Sequence, residues 1–426
     1  MKSTKYILNN NTLWDYQHIQ DILSAYAAEG WHLEKITNLY LKFRRGEPKA
    51  VRYEIIYSAA ASVYNSQPSE EEKDLEALCA EAGWELAAAI AQVQVYRTED
   101  PNAAPLETDA VQKYRNIRRN MMWHLFPQQL GTIGLYTVLL LMFGSSLKKK
   151  PASILSSNMM LLALATVAVF VIVCSIRLGS NLLWLRGARQ SVDAGQAIPP
   201  NRFYRWFRWV EWGTVALYAL ALLFWVEPGY GVSILILAPI MVLTSLGTLA
   251  ITKRLHASRK VNTWLPALAA TAVILFCRPL LSDFLTPVEE PVALPMTLTH
   301  LTGENSDGKL TIDVDSSPLV SHGRYYDFGL VNQIQYTVVD IHCPLVYDMI
   351  CNDMEYDFLC YRNYHGDTEI SDELQELIGA DYIRRSAGPL SDDWFICWDG
   401  RILDLYANWP LTEEQIGILV TMLKPQ

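Results

Sequence analysis

The chain has 426 residues, enough for two or three domains of ~100–200 residues each, and its 19% charged residues and mean hydropathy of +0.09 resemble those of a soluble protein. Those averages conceal a partition: residues 1–110 carry 17 acids against 10 bases (−7), residues 111–286 carry 4 against 18 (+14), and residues 287–426 carry 24 against 7 (−17). A middle third so poor in acids, with its bases at the ends of apolar runs, excludes a wholly soluble chain and marks a membrane domain.

The opening stretch, Met1 to Asn10, lacks the apolar run of a secretory leader, so residues 1–110 are expected to stay in the cytoplasm. Setting Gly30-Trp31 over Gly83-Trp84, an offset of 53, also aligns Asp21 with Asp74, Ala27 with Ala80, Leu33 with Leu86 and Arg44 with Arg97. Two related units follow, each with a helix, a Gly-Trp corner and an extended segment. Ile19, Ile22, Leu23, Tyr26 and Ala27 make one apolar helical face, and Leu75, Leu78, Cys79 and Ala82 make the other. Alternation puts strands at Leu39 to Phe43 and at Val93 to Tyr96, with a further strand at Val51 to Tyr57 after the Gly46-Glu47-Pro48 turn. With a short strand near Tyr6 to Leu8 the order is βαββαβ, an α+β ferredoxin-like arrangement. The alanine-rich run Ala87 to Ala91 opposes it, since alanine favours helix over strand. Trp31 and Trp84 each have two readings: a large aromatic after a helix-ending glycine plugs the core, or the pair forms an aromatic recognition surface.

These residues resemble a known family. Trp14, Glu29-Gly30-Trp31-His32-Leu33, Leu39-Tyr40-Leu41-Lys42-Phe43-Arg44-Arg45, the Pro48 to Tyr57 strand with Arg52-Tyr53, and Ala82-Gly83-Trp84-Glu85-Leu86 leading to Val95-Tyr96-Arg97 resemble the bacterial membrane proteins carrying the domain of unknown function numbered 2812. The resemblance covers about the first hundred residues. It implies a cytoplasmic domain fused to membrane helices, often encoded beside PadR-type transcription regulators, and brings no catalytic residues with it.

Five apolar runs of about the ~20 residues needed to cross ~30 Å of hydrocarbon lie at 125–147, 154–176, 207–226, 232–251 and 264–281, within a membrane domain spanning 111–284. Lys113, Arg115, Arg118 and Arg119 precede the first run; Arg186, Arg189, Arg202 and Arg205 separate the second from the third; Lys253, Arg254, Arg259 and Lys260 separate the fourth from the fifth. Bases gather on the cytoplasmic side, so the N-terminus is expected inside and the C-terminus outside. The base-free turn Glu227 to Gly231 agrees, while Lys148-Lys149-Lys150 does not. Glu211 is the one acid well within a run; three residues after Arg208, it reads as a local interfacial pair before it reads as an ion site. Pro239 can kink the fourth span, and proline is common in membrane helices. Arg278 in the short last run can snorkel to the interface.

Pro287, Pro291 and Pro295 punctuate an extended stalk, 285–297, before an acidic α+β domain over 298–426. Lys309 to Val314 and Gln333 to Ile341 have strand character; Trp394 to Trp398 and Ile402 to Ala407 flank Asp399-Gly400, a two-residue hairpin signal. Ser386 to Asp393 reads as a loop. Thr412 and Gln415 form a capping-box pattern before the apolar run from Ile416 to Leu423. Cys343, Cys351, Cys360 and Cys397 allow up to two disulfides in any of three connectivities, or free thiols. The run Gly303 to Val314 lacks acids at both ends, which an EF-hand requires, and His300, His322, His342 and His365 show no ligand spacing. No metal or cofactor is expected, and no catalytic fingerprint occurs.

Two domains facing opposite compartments, neither with a recognisable chemical centre, point to a non-enzymatic membrane sensor or regulatory interaction protein. Its expected partners are the lipid bilayer and a cytoplasmic protein such as a PadR-type regulator, without direct nucleic acid binding. A transport or immunity component is the alternative, and an enzyme with an unfamiliar outer site the third reading.

Overall fold

In a computed structural model the described residues are 3–9, 15–37, 39–58, 64–65, 67–90, 92–107, 109–226, 228–285, 294–361 and 366–425. Trp14, Glu227, Pro287, Pro291, His365 and the side chain of Arg278 lie outside the described parts. The chain divides into two compact units: Met1–Thr137, Val169–Leu223 and Tyr230–Leu285 form one, and Val138–Ala168, Phe224–Gly229 and Thr286–Gln426 the other.

The first unit opens with β1 (Thr4–Leu8), α1 (Tyr16–Ala28), β2 (Trp31–Ile36) and β3 (Tyr40–Arg45), followed by β4 (Arg52–Tyr57), α2 (Glu70–Glu81), β5 (Glu85–Ile90) and β6 (Val93–Thr98). Each half is a βαββ module with its own antiparallel three-stranded sheet, ordered β1-β3-β2 and β4-β6-β5. This differs from the expected βαββαβ sheet by one extra strand per half. Gly30 and Gly83, at φ +84° and +81°, end each helix in the left-handed region, and the chain enters a strand at once. A Cβ at Gly30 would also come within 2.8 Å of the Gly46 carbonyl oxygen. The alanines of β5 are strand because Ala88 and Ala89 pair with Val95 and Gln94, and sheet pairing overrides their helix propensity. The duplication reaches the irregularities: register shifts between Leu33 and Lys35 in β2 and between Leu86 and Ala88 in β5, positions equated by the 53-residue offset.

Ile19, Leu23 and Ala27 of α1 are buried against Leu33, Leu41, Phe43, Tyr53, Ile55 and Val95. That core continues past residue 110. The rod leaving the sheets is built from α3 (Ala110–Asn120), a π-helical turn (Met121–Leu125) and α4 (Phe126–Lys149), and Ile117, Met121 and Phe126 belong to the same core.

Beyond a short α5 (Pro151–Ser156) the chain forms α6 (Asn158–Asp193), α7 (Arg202–Phe224), α8 (Pro228–Arg254) and α9 (Arg259–Leu285). Span two was expected from residue 154; instead Pro151 starts α5 at its first turn, and Ser157 at ψ 115° breaks the path before α6 begins. Among the described residues five helical segments are long and apolar enough to cross a membrane: Ala110–Lys149, Asn158–Asp193, Trp206–Phe224, Val232–Arg254 and Arg259–Cys277. At most 12% of each apolar window is buried within the protein, so these surfaces require an apolar solvent.

The second unit carries α10 (Leu298–Thr302), β7 (Gly308–Ser316), β8 (Val320–Phe328), β9 (Gln333–Ile341), a 3-10 turn (Pro344–Val346), α11 (Tyr347–Tyr361), α12 (Asp372–Ile378), β10 (Tyr382–Gly388), β11 (Ser391–Trp398), β12 (Arg401–Ala407) and α13 (Glu413–Leu423). Its antiparallel sheet runs β10-β11-β12-β9-β8-β7. Alternation sorts the side chains onto two faces. Tyr336, Trp394, Ile396, Leu403 and Leu405 pack under α12 and α13, while Val339, Phe395, Cys397 and Ile402 pack under α11 together with Ala152 and Leu155 of α5. The stretch Ser386 to Asp393, expected as a loop, instead belongs to the β10–β11 hairpin. Its acid is internal: Asp392 is fully buried, taking Nε and Nη2 of Arg385 at 2.9 and 2.8 Å and the Leu411 amide at 3.0 Å. Met296, beyond Pro295, is also fully buried, with its amide donating to the Tyr336 hydroxyl at 2.9 Å.

Candidate functional site

The two corner tryptophans have different surroundings. Trp84 is 2% exposed and packs with Ile56, Cys79 and Tyr96, its Nε1 donating to the Ala104 carbonyl at 2.9 Å. Arg52 lies 5.5 Å over its ring and donates from Nη1 to the carbonyls of Pro101 and Ala103. Trp31 is half-buried and flanked by cations, with the Arg45 guanidinium 4.9 Å and Lys5 Nζ 5.5 Å from its ring. Its ring therefore lies in a basic, aromatic part of the module's surface, where Lys5 also sits 4.4 Å over Tyr26.

Where α3 leaves the module, polar groups hold it. Lys113 is buried with Nζ 3.8 Å over the Tyr16 ring. Burial pushes the Glu107 carboxyl up, although Asn116 Nδ2 donates to it at 2.7 Å. The signal for this junction was absent from the sequence, because the lysine reads there as one more cytoplasmic base.

Glu211 of α7 is 17% exposed and lies between two arginines: Arg177 Nη1 of α6 is 3.4 Å from one oxygen, and Arg208 Nη1 is 3.5 Å from the other. Local spacing gave Arg208; the partner on the neighbouring helix could not be read from it. Nearby, Trp184 Nε1 donates to the Pro199 carbonyl at 2.9 Å. Glu211, Trp31 and Trp84 are not brought together in one site.

The second unit holds a cleft of about 310 Å³, walled by Tyr325, Val338, Asp340, Arg401, Met422 and Ser321. Strand register sets Asp340 of β9 opposite both Ser321 of β8 and Arg401 of β12. Arg401 grips Asp340 through Nε and through Nη2 at 2.9 Å, and its Nη1 donates to the Leu423 carbonyl at 2.8 Å. The guanidinium is thus neutralised, and the cleft is no anion trap. At its rim the Ser321 hydroxyl is 2.9 Å from His342 Nε2 and 2.8 Å from the Ser316 hydroxyl. A serine nucleophile needs its base oriented by a third group, and among the described residues no carboxylate bonds His342. His322 pairs with Val339 and also lines the cleft, and His300 closes a capping box with Thr297.

Five long apolar helices joined to two mixed α/β cores define a multi-pass membrane protein. Residues 15–126 match the family described as "Protein of unknown function (DUF2812)". The N-terminal part therefore carries this domain, and the match runs through α3 and the π turn to the first residue of α4. No curated protein and no solved structure matches the chain.

Proposed function

We propose that this chain is a non-enzymatic membrane sensor or regulatory interaction protein. In this reading residues 1–110 face the cytoplasm, the helices of 111–284 cross the bilayer, and 298–426, reached through 285–297, face the outer side. The basic segments of the sequence support that direction. One observation carries the relay. Helix α6 is a single helix of 36 residues, about 54 Å long. Leu185, Ala188 and Val192 near its C-terminal end belong to the core of the βαββ modules, and Leu161 near its start packs on the core formed by α5, Val320 and Phe395. A helix anchored in two cores transmits a shift in one to the other, because packed cores rearrange discretely and do not deform smoothly.

The output surface is the cationic face around Trp31, with Lys5 and Arg45, and its occupant is a cytoplasmic protein, for which the family context offers a PadR-type regulator. Hydrogen exchange of the full-length protein tests the relay. Loosening the second unit at α5 should change protection in α1 and α3; unchanged protection there would refute it. A transcript comparison after deletion of the protein tests the regulatory output.

A further inference from the structure

The four cysteines of the second unit have unequal surroundings. Cys351 of α11 and Cys397 of β11 bring their sulfurs to 3.5 Å, although 46 residues separate them. Cys343, at the start of the 3-10 turn, and Cys360, exposed near the end of α11, make no sulfur contact among the described residues. Of the connectivities open to four cysteines, the fold brings one pair together.

We propose that Cys351 and Cys397 are a redox-active dithiol that closes into a disulfide, pinning α11 to the sheet. A disulfide needs ~2.05 Å between sulfurs, so the gap must close by about 1.5 Å, a distance within the reach of side-chain rotation. Cys397 is 1% exposed and Cys351 is half-buried, which makes Cys351 the entry point. Its thiolate attacks the disulfide of an oxidant and releases one thiol; Cys397 then displaces the second from the mixed disulfide. Two thiol protons pass to solvent and two electrons to the oxidant. Burial raises both thiols above their ordinary range, so few thiolates are present at neutral pH. Exchange at Cys351 is therefore slow at neutral pH and quickens as pH rises, and the oxidant it needs is a disulfide, of which oxidised glutathione is the simplest.

The bond has a structural target. Cys351 and Cys397 pack in the same core as Phe358, Phe395, Ala152 and Leu155. Oxidation thus fixes the helix that lies against α5, the link between α4 and α6. Closure in cells rests on the outward orientation proposed above; the chemistry of the pair does not.

The test uses full-length protein in detergent, incubated with oxidised glutathione, acid-quenched, alkylated and mapped by peptide mass. The expected product is a linked peptide joining Cys351 to Cys397, retained in Cys343→Ser and Cys360→Ser and lost in Cys351→Ala. Linkage through Cys343 or Cys360 in the wild type overturns the proposal. So does a glutathione adduct on Cys351 that Cys397 never resolves. Protein taken directly from cells separates the two claims: a pair reduced in cells yet linked by glutathione keeps the dithiol and counts against the orientation.

Discussion

The Ser317 hydroxyl, in the turn between β7 and β8, donates to the Leu155 carbonyl of α5 at 2.5 Å. The same oxygen takes the amides of Leu319 and Val320 at 3.1 and 3.2 Å, and Ser317 is only 6% exposed. Together with Asn158 Nδ2, which donates to the Ser316 carbonyl at 3.1 Å, it fastens the α4–α6 link to the sheet. Ser317→Ala leaves a buried carbonyl and two amides short of a partner and should cost about 1–3 kcal/mol. Hydrogen exchange should show faster exchange in α5 and in the β7–β8 turn. An exchange pattern identical to wild type would mean that the bond holds nothing.

Trp84 and Trp31 occupy equivalent corners of the repeat but should respond differently to truncation. Trp84→Ala removes a buried ring and one hydrogen bond, with an expected loss of about 3–5 kcal/mol. Trp31→Ala removes a partly exposed ring between two cations, a loss of order 1 kcal/mol, and should weaken partner binding with the module still folded. Chemical denaturation monitored by exchange in β3 and β6 distinguishes them; equal losses would contradict the separate roles.

The parts legible in the sequence share a physical property: they repeat over distances longer than a local irregularity. The apolar runs exposed the helices, and the 53-residue offset exposed the duplicated module. Strands β2 and β5 are not legible locally: each carries a register shift, at Leu33/Lys35 and Leu86/Ala88, which interrupts the two-residue alternation on which strand reading depends, and the alanines of β5 favour helix besides. The β10–β11 hairpin was missed because Asp392 looks like a loop acid until Arg385, paired across the turn, and the Leu411 amide neutralise it. The cleft and the Cys351–Cys397 contact depend on register and helix docking, which no local pattern encodes.

Glu211 separates the relay from a transport role. Held at 3.4 and 3.5 Å by Arg177 and Arg208, it shares one negative charge between two cations at the α6–α7 contact. Glu211→Gln keeps the shape but leaves both arginines without its charge, and loss of one partner from a buried ion pair typically costs about 3–5 kcal/mol; partial exposure at 17% places the expected loss below that. The thermal midpoint should fall, while ion or proton flux into reconstituted vesicles should stay at the level of protein-free controls for both forms. Wild-type flux abolished by Glu211→Gln would instead favour a transport component.

Asp353 of α11 makes the second unit sensitive to pH. Burial first, and then Asp357 one turn on, push its carboxyl up from the ordinary 3.8 to about 6. Asp357 is itself raised by burial and partly relieved by Lys150 and Arg324. A carboxyl that holds its proton more tightly when folded favours the folded state below its unfolded value, and that contribution is lost as pH rises through about 6. Stability of this unit should therefore decline between about pH 4 and pH 6 and change little above, as far as this group is concerned. Asp353→Asn carries no charge at any pH, so the variant should melt higher than wild type near neutral pH, with the advantage shrinking on acidification. Calorimetric melts of the full-length protein at a series of pH values measure it. A variant that differs from wild type by the same amount at all of them would show that Asp353 ionises freely in the folded protein, and that its position beside Asp357 carries no pH dependence.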